Sequence, residues 1–300
     1  MAFQFHKATK KQSFLRMALI GPSGSGKTYS SLRIAQGLGQ KIAVIDSERG
    51  SASKYADEFD FDVLELETFA PRDYIQAIDA AARAGYDVLI IDSLSHAWIG
   101  KGGVLEMHDA AAAQEKSGNS YTAWRTVTPE HNRLVDAMLQ APLHVIATMR
   151  SKMEYVQEKN DQGKTVIRKV GLQPIQRDGL DFEFDVVGDM DSSNTLIVTK
   201  TRCRALSQAV IREPGEANVA QTLKAWLTDG VPPTISDAQG KELWTLAKSR
   251  GLSVGALIDL ANQTLGTQYS NPREINVAEY PKVVEAVTAV KTEAAEEAAS

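Results

Sequence analysis

The stretch Gly21-Pro22-Ser23-Gly24-Ser25-Gly26-Lys27-Thr28 matches the pattern G-x-x-x-x-G-K-[ST] at every specified position. Residues of these types at this spacing grip phosphate. Small residues let successive backbone N–H groups turn toward an anion that a larger side chain would hold off. Lys27 brings a positive charge for β- and γ-phosphates, and Thr28 a hydroxyl for Mg²⁺. A helix expected over residues 29–38 points its positive N-terminal end at the same place, and Tyr29, its first residue, joins the loop as a candidate nucleotide contact. The plainer reading is a Gly/Ser-rich turn between a strand and a helix, and it accounts for fewer of these positions.

Two acids farther on complete a hydrolytic set. Asp92 follows an apolar run and suits an Mg²⁺-holding carboxylate, acting through a water while Thr28 binds the ion directly. Glu48 follows another such run and is placed to orient and deprotonate the water that attacks a γ-phosphate. For each acid the alternative is a helix N-cap or a solvated loop carboxylate.

The elements that must position these residues alternate. Apolar runs at 14–20, 41–46, 61–66 and 87–92 read as strands, the second of them central and parallel, and helical spacing marks 29–38 and 71–84. Strands alternating with helices imply a parallel sheet whose loops, and hence ligand, lie at the C-terminal ends of the strands. Residues 104–116 read as a helix, 117–125 as a loop bearing Tyr121 and Trp124, and 128–140 as a helix opened by Thr128 as N-cap and Pro129 at its first position. A strand at 144–148 brings Thr148, Met149 and Arg150 to where a γ-phosphate is sensed, without saying which of them does so.

Beyond residue 150 the pattern changes to a β-hairpin, 153–158 and 164–169 on a four-residue turn. Seven bases against three acids between residues 150 and 177 leave this segment at about +4 in a chain of net charge −5. Lys152, Tyr155, Lys159, Lys164, Arg168 and Lys169, with Tyr121, Trp124 and Arg125, make a candidate track for single-stranded DNA: bases stack on aromatics and phosphates meet cations. The alternative is an edge hairpin whose lysines block aggregation. Strands expected at 182–187 and 195–199 follow, and the second delivers Lys200 and Arg202, a basic pair suited to a neighbouring subunit's nucleotide site.

The chain has 300 residues, 43% of them hydrophobic, and one cysteine, Cys203, which excludes an internal disulfide and a cysteine-based zinc site. No apolar run approaches the ~20 residues of a membrane span, so neither a membrane partner nor secretion is expected, and the cytoplasm is the expected compartment. The expected division is an ATPase core over 1–228, a Gly/Pro linker at 229–235, a helical module over 236–290 opened by the capping box Ser236-x-x-Gln239, and an acidic disordered tail at 291–300.

Together these residues resemble the RecA-like ATPases, and within them the phage-encoded single-strand annealing ATPases of the Sak type, over roughly residues 14–212. Asp46-Ser47-Glu48 fits that family's catalytic glutamate two residues beyond a strand-ending aspartate, and Ile91-Asp92-Ser93 its second acidic motif. The resemblance implies an adenine-stacking role for Tyr55, and for Lys200-Thr201-Arg202 a reach into the next subunit's ATP. RecA itself has a glutamine after the sensing strand where this chain has Met149 or Arg150. The family implies an α/β RecA-like fold, mostly parallel with an antiparallel extension, ATP and Mg²⁺ as cofactors, and phage recombination in the host cytoplasm. It also implies a homo-oligomer, filament or ring, acting in annealing or strand pairing on single-stranded DNA. Residues 236–290 resemble segments appended to other phage recombination proteins, which implies docking to DNA or to a single-strand-binding protein. The competing expectations are a nucleotide-gated switch with a protein partner and a translocating motor.

Overall fold

Arg16–Gly21 is apolar without alternation, the signature of a strand covered on both faces, and it forms β1, every residue buried. The computed structural model describes residues 5, 7–114, 120–159 and 165–290, with side chains outside 120 and 153–171. After β1 come α1 (Lys27–Leu38), β2 (Ile42–Asp46), β3 (Asp62–Glu65), α2 (Pro71–Arg83), β4 (Val88–Asp92), α3 (Ser95–Ile99), α4 (Val104–Gln114) and α5 (Ser120–Gln140). Then follow β5 (His144–Lys159), β6 (Thr165–Pro174), β7 (Val186–Met190), β8 (Thr195–Thr201), β9 (Val210–Arg212) and α6 (Gln221–Thr228).

Among the described residues nine strands form one sheet, eight of them in the order β3-β2-β4-β5-β1-β7-β8-β9, with β6 off this path and paired to β5. From β3 to β7 every pairing is parallel, whereas β7-β8-β9 and β5-β6 are antiparallel. Alternate strand residues feed two cores. Met17, Leu19, Val44 and Ile90 pack with α1 and α6 through Leu32, Ala35, Leu223 and Leu227. Ala18, Ile20, Ile45, Leu89 and Ile91 pack with α2 and α5 through Tyr74, Ile78, Leu134 and Met138. This is an α/β core, its sheet mostly parallel with an antiparallel extension and helices on both faces, as expected.

Three local expectations are corrected. Helix α5 begins at Ser120, so Tyr121, Trp124 and Arg125 lie on a helix rather than a loop, and Pro129 is inside it. The reason is a stripe at helical spacing, Ala123, Val127, His131, Leu134 and Met138, that stays buried straight through the proline, which faces solvent. The expected strand at 182–187 is a 3₁₀ turn over Leu180–Glu183, with β7 starting four residues later than expected; Leu180 and Phe184 are buried and Phe182 is exposed. Strand and hairpin around residue 150 are one continuous strand, β5, that leaves the sheet and pairs with β6.

Contacts divide the chain into Phe14–Leu227 and a second unit formed by Met1–Ser13 with Thr228–Ser300. The expected division puts residues 1–13 with the core and 229–235 in a linker. Lys11 instead pairs with Val231 and Thr234 with Asn276, and Gln12 N donates to Val231 O at 2.8 Å while Val231 N donates to Lys10 O at 3.0 Å, so these backbones find partners inside the second unit. That unit holds α7 (Asp237–Ser249), α8 (Val254–Leu265) and α9 (Tyr280–Ala289) around Leu243, Ala247, Leu257, Ala261, Val283 and Val287. The capping box forms: Gln239 N donates to Ser236 Oγ, and Ser236 N donates to Gln239 Oε1. The tail at 291–300 lies outside the described residues. Among the described residues no helix is long and apolar enough to cross a membrane.

Candidate active site

The 21–28 loop leaves β1 at its C-terminal end and opens directly into α1. Its glycines are required by contact as well as conformation. Gly26 has φ +80, and a Cβ there would strike Asn194; a Cβ on Gly21 would meet Met190 O at 2.5 Å. Lys27 Nζ donates to Gly21 O at 3.0 Å and Pro22 O at 2.8 Å, folding back over the loop. Burial pulls its ammonium below the ordinary value, against the attraction of Asp92 and Glu48. Ser25 Oγ is buried without a hydrogen-bond partner. A cradle of inward-facing loop with a cation and an unsatisfied hydroxyl fits a phosphate chain.

Sheet register brings the acids to this cradle. Asp46 and Asp92 are directly paired at the ends of β2 and β4, and Gly21 is paired with Arg150 of β5. Asp92 is 2% exposed, accepting from Thr28 Oγ1 and from Thr148 Oγ1, each at 2.6 Å. Burial raises its carboxyl above the usual range and the two hydroxyl bonds oppose that shift. A buried carboxylate beside a threonine hydroxyl offers the oxygen donors that a divalent cation prefers. Among the described residues no cluster of three His, Cys, Asp or Glu side chains could hold a metal, so phosphate oxygens or water would have to complete any such site.

Glu48 is set by its neighbours. Asp46 accepts from Glu48 N at 2.5 Å and from Ala52 N at 3.0 Å, tying down the turn that carries the glutamate. The Glu48 carboxylate faces Arg150, whose Nε and Nη2 both lie 2.9 Å from Oε1. Ser47 is buried, accepts from Ser93 N at 2.8 Å and touches His96 Nδ1 at 2.8 Å. Burial, with Arg150 nearby, holds the His96 imidazole below its ordinary value. In the sequence Asp46 and Ser47 enter only as the lead-in to Glu48, with no role of their own; His96 carries no signal there, because only the fold brings α3 against the β2 turn. Of the three candidate sensors, Met149 is fully buried in the core, Thr148 binds Asp92 and Arg150 binds Glu48.

Tyr55 lies in a 3₁₀ turn over Ala52–Tyr55 and packs edge-on against Tyr29, ring centroids 5.4 Å apart. Tyr29 in turn meets Phe59 at 5.2 Å and donates to Glu58 at 2.9 Å. Both tyrosines therefore stand at the first turn of α1, next to the loop. Lys200 Nζ donates to the carbonyls of Asp181 at 3.1 Å and Phe184 at 2.7 Å, and also to that of Phe182; Arg202 pairs with Asp185 at 2.7 Å. Within one chain this basic pair is engaged away from Lys27 and Glu48.

The candidate DNA track separates into three groups. Tyr121 is 81% exposed, Arg125 and Lys152 are exposed. Trp124 is stacked on His108 at 4.3 Å and on Trp98 at 5.8 Å, so its indole is already engaged with aromatic neighbours of its own chain. Tyr155, Lys159, Arg168 and Lys169 lie on β5 and β6, where only backbone is described, and Lys164 lies outside the described residues.

A family model described as an AAA domain matches residues 13–223, more than two thirds of the chain. No curated protein matches it.

Proposed function

We propose, from the premise that this chain belongs to the AAA domain family and is an ATP-hydrolysing P-loop enzyme, that it couples ATP turnover to single-stranded DNA and promotes annealing or strand pairing. What supports the DNA half is one feature of the sheet: β5 passes through the catalytic edge, pairing Gly21 with Arg150, and continues directly into the base-rich hairpin. A ligand on that hairpin and a nucleotide on the loop would share one strand.

In this reading Lys27 and the loop backbone hold the phosphates, Tyr29 and Tyr55 flank the base, and Thr28 with Asp92 hold Mg²⁺, which when bound neutralises phosphate charge. Glu48 takes the proton of the attacking water. Lys200 and Arg202 act on the nucleotide of an adjacent copy, giving up their bonds to the 181–185 segment to do so. The resulting head-to-tail oligomer works in the cytoplasm, with the helical module free to dock a single-strand-binding protein.

The test is ATP turnover with and without a single-stranded oligodeoxynucleotide at rising salt. Stimulation that fades as salt rises supports the reading. Turnover indifferent to the oligonucleotide and responsive only to a protein partner would replace it with the nucleotide-gated switch.

A further inference from the structure

The segment that leaves β4 stitches together the ends of the two strands beside it. Toward β5, Leu94 N donates to Thr148 O and Ser95 Oγ accepts from Arg150 N, each at 2.9 Å. Toward β2, Asp92 O accepts from Ser47 N at 2.7 Å, and Ser93 N donates to Ser47 Oγ at 2.8 Å. Because β4 lies between β2 and β5 in the sheet, residues 92–96 set where Glu48, Asp92 and Thr148 stand relative to one another. The last link is between side chains, His96 Nδ1 lying 2.8 Å from Ser47 Oγ.

The Ser47 hydroxyl is 2% exposed and has one proton and two lone pairs to satisfy without solvent. Ser93 N takes one lone pair, and Ser93 O, 3.1 Å away, can only accept. When the hydroxyl proton goes to Ser93 O, His96 Nδ1 carries a hydrogen and donates to the second lone pair. When the proton goes to Nδ1 instead, Ser93 O keeps its bond from Tyr74 OH at 3.2 Å. In both arrangements the imidazole completes the bonding of Ser47. The ring is itself held in place. Phe69 packs on it with ring centroids 5.1 Å apart, and a Cβ on Gly100 would meet Phe69 Cδ2 at 2.5 Å and His96 O at 2.7 Å, so the chain after α3 closes tightly on both. Ser47 lies between Asp46, which accepts from Glu48 N, and Glu48 itself. We propose that His96 is a positioning residue for ATP hydrolysis: through Nδ1 it fixes the Ser47 hydroxyl, and through Ser47 the turn that presents Glu48 to the attacking water. His96 exchanges no proton with water or nucleotide. The role rests on the reading of Glu48 as the water-activating group.

The experiment measures single-turnover ATP hydrolysis of the full chain and of His96→Ala, His96→Asn and His96→Gln, with a fluorescent ATP analogue reporting nucleotide affinity in each. His96→Ala is expected to slow hydrolysis about tenfold with affinity unchanged, the scale of one lost orienting hydrogen bond. The asparagine carboxamide reaches the position of Nδ1 and should restore most of the rate. Glutamine reaches the position of Nε2 and should not. That contrast between two side chains of the same chemistry is one that a merely structural role would not produce, and it tests the inference even if the alanine variant fails to fold. Combined with Glu48→Gln, His96→Ala should cause no further loss, because the group it positions is gone. A wild-type rate in His96→Ala, a loss traced to weaker nucleotide binding, or an equal loss in the Glu48→Gln background would each overturn the role. Glu48→Gln hydrolysing at the wild-type rate would overturn the reading of Glu48 and His96 with it, whereas a slow Glu48→Gln beside an indifferent His96→Ala removes only His96.

Discussion

One half-buried imidazole shows how residue chemistry is tied to the frame of the site. His144 opens β5, accepts from Leu15 N through Nδ1 at 3.0 Å and sits beside Arg16, whose guanidinium binds the carbonyls of Leu15, Leu139, Ala141 and Leu143. Burial and the Arg16 charge hold His144 down to about 4, while in the unfolded chain it titrates near ~6.5. Folding therefore excludes a proton: His144 leaves stability intact above pH ~6.5, and its penalty grows as pH falls toward 4, reaching at most about 3 kcal/mol. Denaturant midpoints measured between pH 7 and 4.5 should fall, and His144→Gln should flatten that slope; an unchanged slope would contradict the assignment. At this scale the sequence was informative where chemistry is local. The loop from Gly21 to Thr28 is a contiguous pattern, Asp92 ends an apolar run, and Glu48 stands two residues beyond the end of another. Arg150 on Glu48 and His96 on Ser47 are contacts across 102 and 49 residues, and no spacing rule reports them.

Helix α5 is the element where local rules misled. Thr128-Pro129 has the composition of a helix start, yet the buried stripe from Ala123 to Met138 carries the helix through it. Packing of about five buried side chains outweighs the ~3 kcal/mol that an interior proline costs. Because Pro129 is exposed and its ring makes no demand on the core, Pro129→Ala should stabilise the protein by about 1–3 kcal/mol and raise its melting temperature; no change, or a loss, would mean that the proline fits a bend the helix needs. Strands β1, β2 and β4 were legible because burial on both faces leaves uninterrupted apolar runs. The 180–184 segment was not: alternating Phe182 and Phe184 look like a strand, but Gly179 at φ +86 starts a 3₁₀ turn instead.

For the whole molecule, what the sequence withheld is order. Alternation of strands and helices implied a parallel sheet, but only the sequence β2-β4-β5-β1 puts Glu48, Asp92, Thr148, Arg150 and the phosphate loop along one edge. Lys200 on β8 and Arg202 just past its end stand two strands beyond β1 and are bound to their own chain, so the proposed role in ATP hydrolysis requires a second copy. Mixing settles that requirement. Lys27→Ala lacks a working loop but retains Lys200 and Arg202; the double variant Lys200→Ala/Arg202→Ala has the reverse defect. Each alone should turn over ATP about 10²-fold or more below wild type, and a mixture should regain a substantial fraction, because mixed interfaces pair an intact loop with intact cations. Activity in the mixture no greater than the sum of its parts would confine hydrolysis to single chains. The most direct measurement of the catalytic arrangement is simpler: ATP affinity and single-turnover hydrolysis of Glu48→Gln beside wild type. Unchanged affinity with hydrolysis slowed by about 10²–10⁴ is the expected result, since the proposed mechanism loses only its proton acceptor. Hydrolysis at the wild-type rate would contradict the account at its centre.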